Sequence, residues 1–585
     1  MEKKMISLTI DGVHVEVPEG TTILEAARKA HVHIPTLCFL KDVNEIGACR
    51  ICVVDAGARA LQAACVLEVA PGMVVRTNTP EVREARKTII ELILSNHDKK
   101  CLSCVRSQNC ELQKISLDLG IENGDEFAGT MRIYSVDDLS VSLVRDNNKC
   151  INCRRCVATC NKNQGVGVIG AVNRGFNTSI ESAWDQSLAQ TACIGCGQCI
   201  VNCPVGALYE KDELQDVWTM IDDPDLHVVV QPAPSVRAAL GECFGLPMGT
   251  NVTGKMVAAM RRLGFDKIFD TDFAADLTIM EEATELLDRI QSRGTLPMIT
   301  SCSPGWVRFC ETYYQDFIPN LSSCKSPHQM LGAITKSYYA EKASIPAEKI
   351  RVVSVMPCTA KKLETRSPGM DSTGYPDVDA VITTRELGKM IKSSGIDFVN
   401  LPDEEFDPIL GLSTGAGTIF GATGGVMEAA LRTAYETVLN KELEKLDFHV
   451  VRGIQGIKEA TIALGDVELN VAVVNGTANA AKLLDAIRKG EKTYHFIEIM
   501  ACPGGCVNGG GQPIVSAQDR LNLDPRIERA KALYKADDEM IYRKSHENPM
   551  IKKLYDEYLE KPNSHRAHHL LHRHYVKRPK YQNQN

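Results

Sequence analysis

Two runs of cysteine carry the most specific chemistry in the chain. Cys150, Cys153, Cys156 and Cys160, then Cys193, Cys196, Cys199 and Cys203, repeat the spacing C-x2-C-x2-C-x3-C, the second followed by Pro204. Thiolates so spaced wrap a [4Fe-4S] cubane, with the fourth cysteine of each run serving the other cluster. This assigns Cys150, Cys153, Cys156 and Cys203 to one cubane and Cys193, Cys196, Cys199 and Cys160 to a second. Zinc needs four ligands per site and has no use for the exchange. Residues 161–192 between the runs lengthen the minimal arrangement and leave the ligand logic intact.

Two further groups precede them. Cys38, Cys49, Cys52 and Cys65 are spaced C-x10-C-x2-C-x12-C, with Gly47 and Gly57 nearby. A loop with three thiolates and a distant fourth suits a [2Fe-2S] cluster, although four cysteines suit zinc as well. His97, Cys101, Cys104 and Cys110 form a three-cysteine group with one upstream imidazole. Alone, that group reads first as zinc or as a histidine ending a helix; beside three other cysteine groups, a cubane with one imidazole ligand is the better reading.

The later cysteines stand in three short motifs: TSCSPGW at 300–306, MPCTAKKLE at 356–364 and EIMACPGGCVNGGGQP at 498–513. Each follows an apolar, β-like run, so each cysteine is expected at a strand end, where loops build sites. Cys302, Cys358, Cys502 and Cys506 together would hold another cubane. The three glycines after Cys506 are expected to let backbone amides crowd a bulky inorganic ligand.

The elements positioning these groups follow from the rest of the chain. Its 585 residues are too many for one core and suggest about four units. A net charge of -8 argues against a nucleic-acid face, and no apolar run is long enough to span a bilayer. The first residues alternate Ile6, Leu8 and Ile10 as a strand does and lack a signal peptide's apolar stretch, which places the chain in the cytoplasm. There, a count of 22 cysteines points to metal ligands rather than to disulfides. Two strands around Asp11-Gly12 precede a helix beginning at Thr21 and Thr22, and a second helix covers 82–97. From 226 onward β-like runs alternate with helical stretches, an α/β pattern, and amphipathic helical sequence follows residue 525.

The three later motifs resemble the signatures of the [FeFe]-hydrogenases, and the resemblance covers nearly the whole chain in its long, cluster-rich form. The first group likewise resembles the [2Fe-2S] domain shared by hydrogenases and respiratory NADH dehydrogenases. The resemblance implies an α/β multidomain fold. Its units are a ferredoxin-like β-grasp [2Fe-2S] domain at 1–80, a His/Cys3 cluster domain at 81–140 and a 2[4Fe-4S] ferredoxin-type domain at 141–212. A two-lobed α/β catalytic domain at 225–520 and a small-subunit-like helical domain at 521–585 complete it. The implied active site is a [4Fe-4S] cubane joined through one cysteine sulfur to a two-iron unit with CO, cyanide and dithiolate ligands. Cys358, Cys502 and Cys506 become its ligands, Cys506 the bridge; Lys361 would hydrogen-bond a cyanide; Ala233, Pro234, Ser235, Met356, Phe420 and Met500 would line the pocket.

The first motif departs from the family's commonest form, in which two adjacent cysteines serve as proton relay and cubane ligand in that order. In ungapped register Cys302 falls on the relay and Ser303 on the ligand. Serine is a far poorer iron ligand than a thiolate, which favours exchanged roles: Cys302 as metal ligand and Ser303 as relay. The resemblance also marks Glu282, Glu285, Arg289 and Ser322 as a proton path, where periodicity alone reads a solvated helix face.

The activity implied is reversible H2 oxidation and proton reduction. Electrons would pass through the accessory clusters to or from a ferredoxin or a flavin-containing, NAD(P)-reducing partner subunit, and maturation proteins would supply the two-iron unit. The glycine turn at 421–430 lacks GxGxxG spacing, so no nucleotide site is assigned. The rival is a sensory or electron-transfer iron-sulfur protein without H2 turnover, which gives no reason for Lys361 or the Cys502-x3-Cys506 pair. Histidines 565, 568, 569, 572 and 574 read as a solvated helix. Cys243, Cys310 and Cys324 read as small buried hydrophobes.

Overall fold

The computed structural model describes residues 4–439, 446–464 and 467–580. The first three residues of the 1–80 unit and the last five of the 521–585 unit therefore lie outside the described residues.

Strands Met5–Ile10 and Val13–Pro18 pair antiparallel, and the first also pairs parallel with Val74–Val75. Asp11 and Gly12 both take positive φ, 46° and 85°, the geometry that a tight two-residue hairpin demands. Helix Ile23–Lys29 starts at Thr22, whose side chain accepts from the Glu25 amide while Glu25 returns the bond, a capping box that ties down the first turn. Its Leu24 and Ala27 cover Ile6, Leu8 and Val15. The cysteine loops are built over this core.

Helix Pro80–Leu94, with Thr79 as cap, stops short of the expected 97, leaving His97 beyond its end. The following unit has approximate internal symmetry. Helices Arg155–Ala158 and Gln198–Val201 each begin after a residue in the left-handed region, Arg154 at φ 62° and Gly197 at φ 67°. Strands Leu143–Arg145 and Leu208–Glu210 pair antiparallel beneath them. The residues between the cysteine runs carry a small hairpin, Gly170–Val172 with Ser179–Glu181.

Two four-stranded sheets dominate the larger part. The first is wholly parallel, in the order Lys267–Ile268, His227–Pro232, Ile350–Met356, Ala380–Thr383. The second runs Met298–Ile299, Phe496–Met500, Val467–Asn475, Ile457–Leu464, with only the last pair antiparallel. Strands of such sheets are buried on both faces and read as continuous Val and Ile runs. Each sheet has its own core, Val229, Val353 and Ile382 in one, Ile299, Val474 and Ile499 in the other. The 21-residue helix Thr271–Gln291, capped by Asp270, contributes to the core of each lobe through Leu277 and Ile279. Strand ends Pro232, Ile299, Met356 and Met500 all release loops into the gap between the lobes, where open α/β sheets place their sites.

Helices Pro525–Glu539, Pro549–Leu554 and His565–Leu571 wrap the catalytic lobes. Buried pairs fasten the first: Arg529 to Glu242 at 2.7 Å and Arg432 to Asp537 at 2.8 Å. The wrapping buries His572 against residues 322–325 and so corrects its reading as solvated, while His565, His568, His569 and His574 are exposed as expected. Cys310 and Cys324 are buried, whereas Cys243 is only half-buried, packed beside Gly388.

Candidate functional site

The Cys52 and Cys65 sulfurs lie 3.4 Å apart, and the Cys49 amide donates to Cys38 Sγ at 3.5 Å. Amides on sulfur disperse the negative charge of a thiolate-bound cluster, so the arrangement suits iron and sulfide. His97 is buried, and its Nδ1 has no hydrogen-bond partner among the described residues. Burial pushes its pKa down to about 4, leaving a neutral imidazole, the form that binds metal. Lys149 faces both His97 and Cys104, and Cys110 faces Cys104. The orphaned ring nitrogen, with Lys149 as a neighbour common to His97 and Cys104, fits a cubane with one imidazole ligand.

Cys150, Cys153, Cys156 and Cys203 line one apolar cavity, and Cys160, Cys193, Cys196 and Cys199 line a second, so Cys160 and Cys203 are exchanged between the sequence runs. Asn44 Nδ2 donates to the carbonyls of Cys38 at 2.7 Å and Cys153 at 3.0 Å, joining the first group to the third. Arg106 Nη1 donates to the Cys203 carbonyl at 2.7 Å and joins the second.

The chain of thiols ends between the lobes. Cys302, Cys358 and Cys506 line an apolar cavity with Ala233, Pro234, Met356, Phe420, Met500 and Lys361. Ser235 is buried outside this lining, its carbonyl and hydroxyl accepting from Gln512 Nε2 at 3.0 and 3.2 Å. Cys502 sits behind the cavity, with Cys358, Cys196 and Cys506 as its thiol neighbours. It therefore stands between the cavity and the second ferredoxin-type group.

Cys302 and Ser303 part company at the helix start. The Cys302 thiol faces Glu282, Cys506 and Lys361, and burial, then Glu282 and Cys506, push it well above the usual thiol range. Ser303 Oγ instead accepts from the amide of Ala501, the residue before Cys502, at 3.1 Å. The thiol is thus on the carboxylate side and the hydroxyl on the Cys502 side, which favours the ungapped register over the exchange of roles expected from ligand softness. The reason is local. Ser303 is extended, with φ -100° and ψ 98°, and Pro304 begins helix Pro304–Tyr313, so successive side chains leave on opposite sides.

Lys361 Nζ donates to Glu364 Oε2 at 2.8 Å and to the Cys302 carbonyl at 3.1 Å. His328 Nε2 meets the same Glu364 oxygen at 2.8 Å. Burial alone would raise the Glu364 pKa, but Lys361 and then His328 outweigh it and hold the carboxylate below its usual range. Burial, aided by Lys361, lowers His328 to about 4. His328, Pro327 and Thr271 line the cavity although no sequence motif marked them. His328 occurs once, outside any spacing; only its pairing with Glu364 of the second motif betrays it.

Glu281 and Glu282 are fully buried, so the helix face is not solvated. Glu282 faces the Cys302 thiol on one side, with Ser322 and the Ser301 backbone as its polar neighbours, yet neither carboxyl oxygen has a hydrogen-bond partner among the described residues. Burial pushes it up to about 8. Ser322 Oγ donates to Glu285 at 3.0 Å, and Arg289 Nη2 to Glu285 at 2.7 Å, completing a line from the half-exposed Arg289 to Cys302.

Gly509 and Gly510, after Cys506, pack backbone on backbone, and Gly511 packs against the Thr383 side chain. A Cβ on Gly509 would stand 2.2 Å from the Pro357 carbonyl oxygen, and one on Gly510 would stand 2.4 Å from that of Cys196. Arg385 locks this contact, reaching Glu210 at 2.6 Å and the Gly510 carbonyl at 2.9 Å.

Comparison with known proteins extends this picture. Residues 226–510 match the family described as "Iron only hydrogenase large subunit, C-terminal domain", and 523–578 match "Iron hydrogenase small subunit". Residues 3–80 match a 2Fe-2S iron-sulfur cluster binding domain, 86–125 an NADH-ubiquinone oxidoreductase-G iron-sulfur binding region, and 141–209 a ferredoxin-like domain of NADH-quinone oxidoreductase subunit 3. The chain is 51% identical to NADP-reducing hydrogenase subunit HndD of Solidesulfovibrio fructosivorans, over 98% of this chain and 99% of that one. It is 46% identical to Iron hydrogenase 1 of Clostridium pasteurianum, over 98% and 100% respectively. A solved structure of a variant of [FeFe]-hydrogenase HydA1 from Chlamydomonas reinhardtii covers 62% of this chain and 98% of its own, at 44% identity and TM-score 0.56.

Proposed function

The chain belongs to the iron-only hydrogenase family, and from that premise we propose that it oxidises H2 and reduces protons at the cavity between its lobes, using a defined set of its own residues. As a hydrogenase it is an oxidoreductase acting on H2, with iron-sulfur domains of the 2Fe-2S and 4Fe-4S kinds. The observation that carries the finer reading is the convergence of Cys358, Cys502 and Cys506 with Lys361 at the end of a line of cysteine groups.

Cys358, Cys502, Cys506 and Ser303 would hold the active cubane, and Cys506 would also carry the two-iron unit. When bound, that unit supplies the heterolytic cleavage and formation of H2. The chain's part is to exclude water, fix anionic ligands and move protons. Met356, Phe420, Met500, Ala233 and Pro234 give the dry wall, and Ser235 supports it from behind through Gln512. Lys361 offers an ammonium to a cyanide, while Glu364 and His328 hold the lysine in place. The Cys302 thiol passes its proton to Glu282, Glu282 through Ser322 to Glu285, and Glu285 to the surface beside Arg289.

The accessory cysteines and His97 would hold one [2Fe-2S] cluster and three [4Fe-4S] clusters to carry electrons, within the five units at 1–80, 81–140, 141–212, 225–520 and 521–585. The likeness to an NADP-reducing hydrogenase subunit supports a flavin-containing, NAD(P)-reducing partner or a ferredoxin as electron exchange partner, in the cytoplasm, with maturation proteins inserting the two-iron unit. No described helix is long and apolar enough to cross a membrane.

Infrared spectroscopy of the anaerobically matured protein tests this reading. CO and cyanide bands that respond to H2, together with H2 turnover, are expected; their absence from protein with intact accessory clusters would leave an electron-transfer protein. For the fourth corner, Ser303→Cys is expected to shift the redox potential and EPR signal of the cubane in protein lacking the two-iron unit. An unchanged spectrum in Ser303→Ala would remove serine from the ligand set.

A further inference from the structure

Where the C-terminal segment crosses the proton line it brings three donors of different chemistry together. Lys325 donates its amide to the Leu571 carbonyl at 2.7 Å and Arg573 to that of Ser323 at 2.8 Å, so Cys324 lies opposite His572 in an antiparallel bridge. Glu285 approaches from helix Thr271–Gln291. One ligand atom each from Glu285, Cys324 and His572 all fall within 4.8 Å of one another. We propose that these residues form a site for a divalent cation of the zinc class, and that its occupancy blocks proton passage through Glu285. The blocking half rests on the proton path proposed above.

The donor set selects the ion. Thiol, imidazole and carboxylate together suit zinc and its soft neighbours, while magnesium and calcium prefer oxygen alone. Ligand bonds of about 2.0–2.3 Å place tetrahedral donors about 3.3–3.8 Å apart, so closure needs movements on the order of 1 Å. The fourth position is left to water, and Glu281, whose Oε2 lies 3.2 Å from His572 Nε2, stands beside the imidazole. Glu285, Glu282 and Glu281 all face Cys324, which makes the pocket attractive to a cation. Entry is provided by His568, exposed and stacked on His572 with ring centroids 4.4 Å apart.

The mechanism of block follows from what the donors now do. Glu285 accepts from Ser322 at 3.0 Å, His572 pairs with Ser323 at 2.8 Å, and Arg289 holds Glu285 at 2.7 Å. A metal drawing the Glu285 carboxylate toward Cys324 takes it from Ser322 and interrupts the relay. Binding releases one proton, from the Cys324 thiol, to solvent.

The test uses matured, cluster-loaded protein washed with chelator and given Zn2+ in non-coordinating buffer. Equilibrium dialysis is expected to show one tight zinc per chain, and zinc-edge X-ray absorption one sulfur with nitrogen or oxygen ligands. Cys324→Ala removes the sulfur, and Cys324→Ala and His572→Gln each weaken binding at least about tenfold. Micromolar Zn2+ slows H2 oxidation by wild type and spares both variants. Zinc binding unchanged in both variants overturns the site; binding at the site without loss of rate overturns the block. Dialysis and absorption read the site even in protein with no H2 turnover, so failure of the catalytic reading is distinguishable.

Discussion

Gly197 and Gly510 meet backbone to backbone: a Cβ on Gly510 would stand 2.5 Å from the Gly197 Cα. The cysteine loop of the second ferredoxin-type group and the glycine loop beyond Cys506 are thereby held as close as two chains can approach. Gly510→Ala forces them apart, since backbone offers no side chain to swing aside. H2-dependent reduction of the accessory clusters is expected to slow about tenfold to a hundredfold, with all clusters still visible by EPR. Unchanged rapid-freeze kinetics would show that this contact does not govern electron transfer.

Glu282 titrates near pH 8 because burial raises it from the ordinary 4.5. Accepting a proton from Cys302 requires its ionised form and delivering one requires its neutral form. The ratio of H2 oxidation to H2 evolution is therefore expected to climb as pH rises through about 8. Glu282→Gln lowers both directions by about a hundredfold or more and abolishes that inflection. Linkage has the same sign: the raised pKa favours the folded state below pH 4.5, and this contribution is lost as pH passes 8. Thermal inactivation of wild type should accelerate between about pH 5 and 8 more than that of Glu282→Gln.

Removing the ammonium of Lys361 strands a carboxylate. Glu364 is 1% exposed and would keep only His328 as a close partner and Arg573 at 3.9 Å. Breaking one side of a buried pair costs about 3–5 kcal/mol. Lys361→Met is expected to inactivate faster on heating and to shift the cyanide infrared bands, whereas Lys361→Met combined with Glu364→Gln recovers stability but not the bands.

His97→Ala should lose about four irons per chain, one cubane's worth, and the corresponding EPR signal, because no other described group replaces the orphaned imidazole. An unchanged iron count would make His97 a packing residue.

Legibility follows the range over which each feature is determined. The accessory cysteines can be read because their ligand spacing is local, and Cys358 and Cys502 because an apolar run ends just before each. The facing of Cys302 and Ser303 cannot, since it depends on an extended residue meeting a proline-started helix and on the Ala501 amide, 198 residues away. His572 escapes a sequence reading for the same reason: its burial depends on Ser323, 249 residues earlier. The glycine loop is legible as a close approach, but its meeting with Gly197 is not.

The pairing of residues 571–573 with 323–325 also sets an order of events during synthesis. The walls of the cavity are all translated by Cys506, yet the strand that seals Ser322 and Cys324 emerges more than sixty residues later. Until then the bonds that Tyr555, Asn563 and His572 make to Glu281 cannot form. The walls of the cavity and the cover of the carboxylates beside it are thus encoded in separate stretches of chain, and the last described helices complete the enclosure.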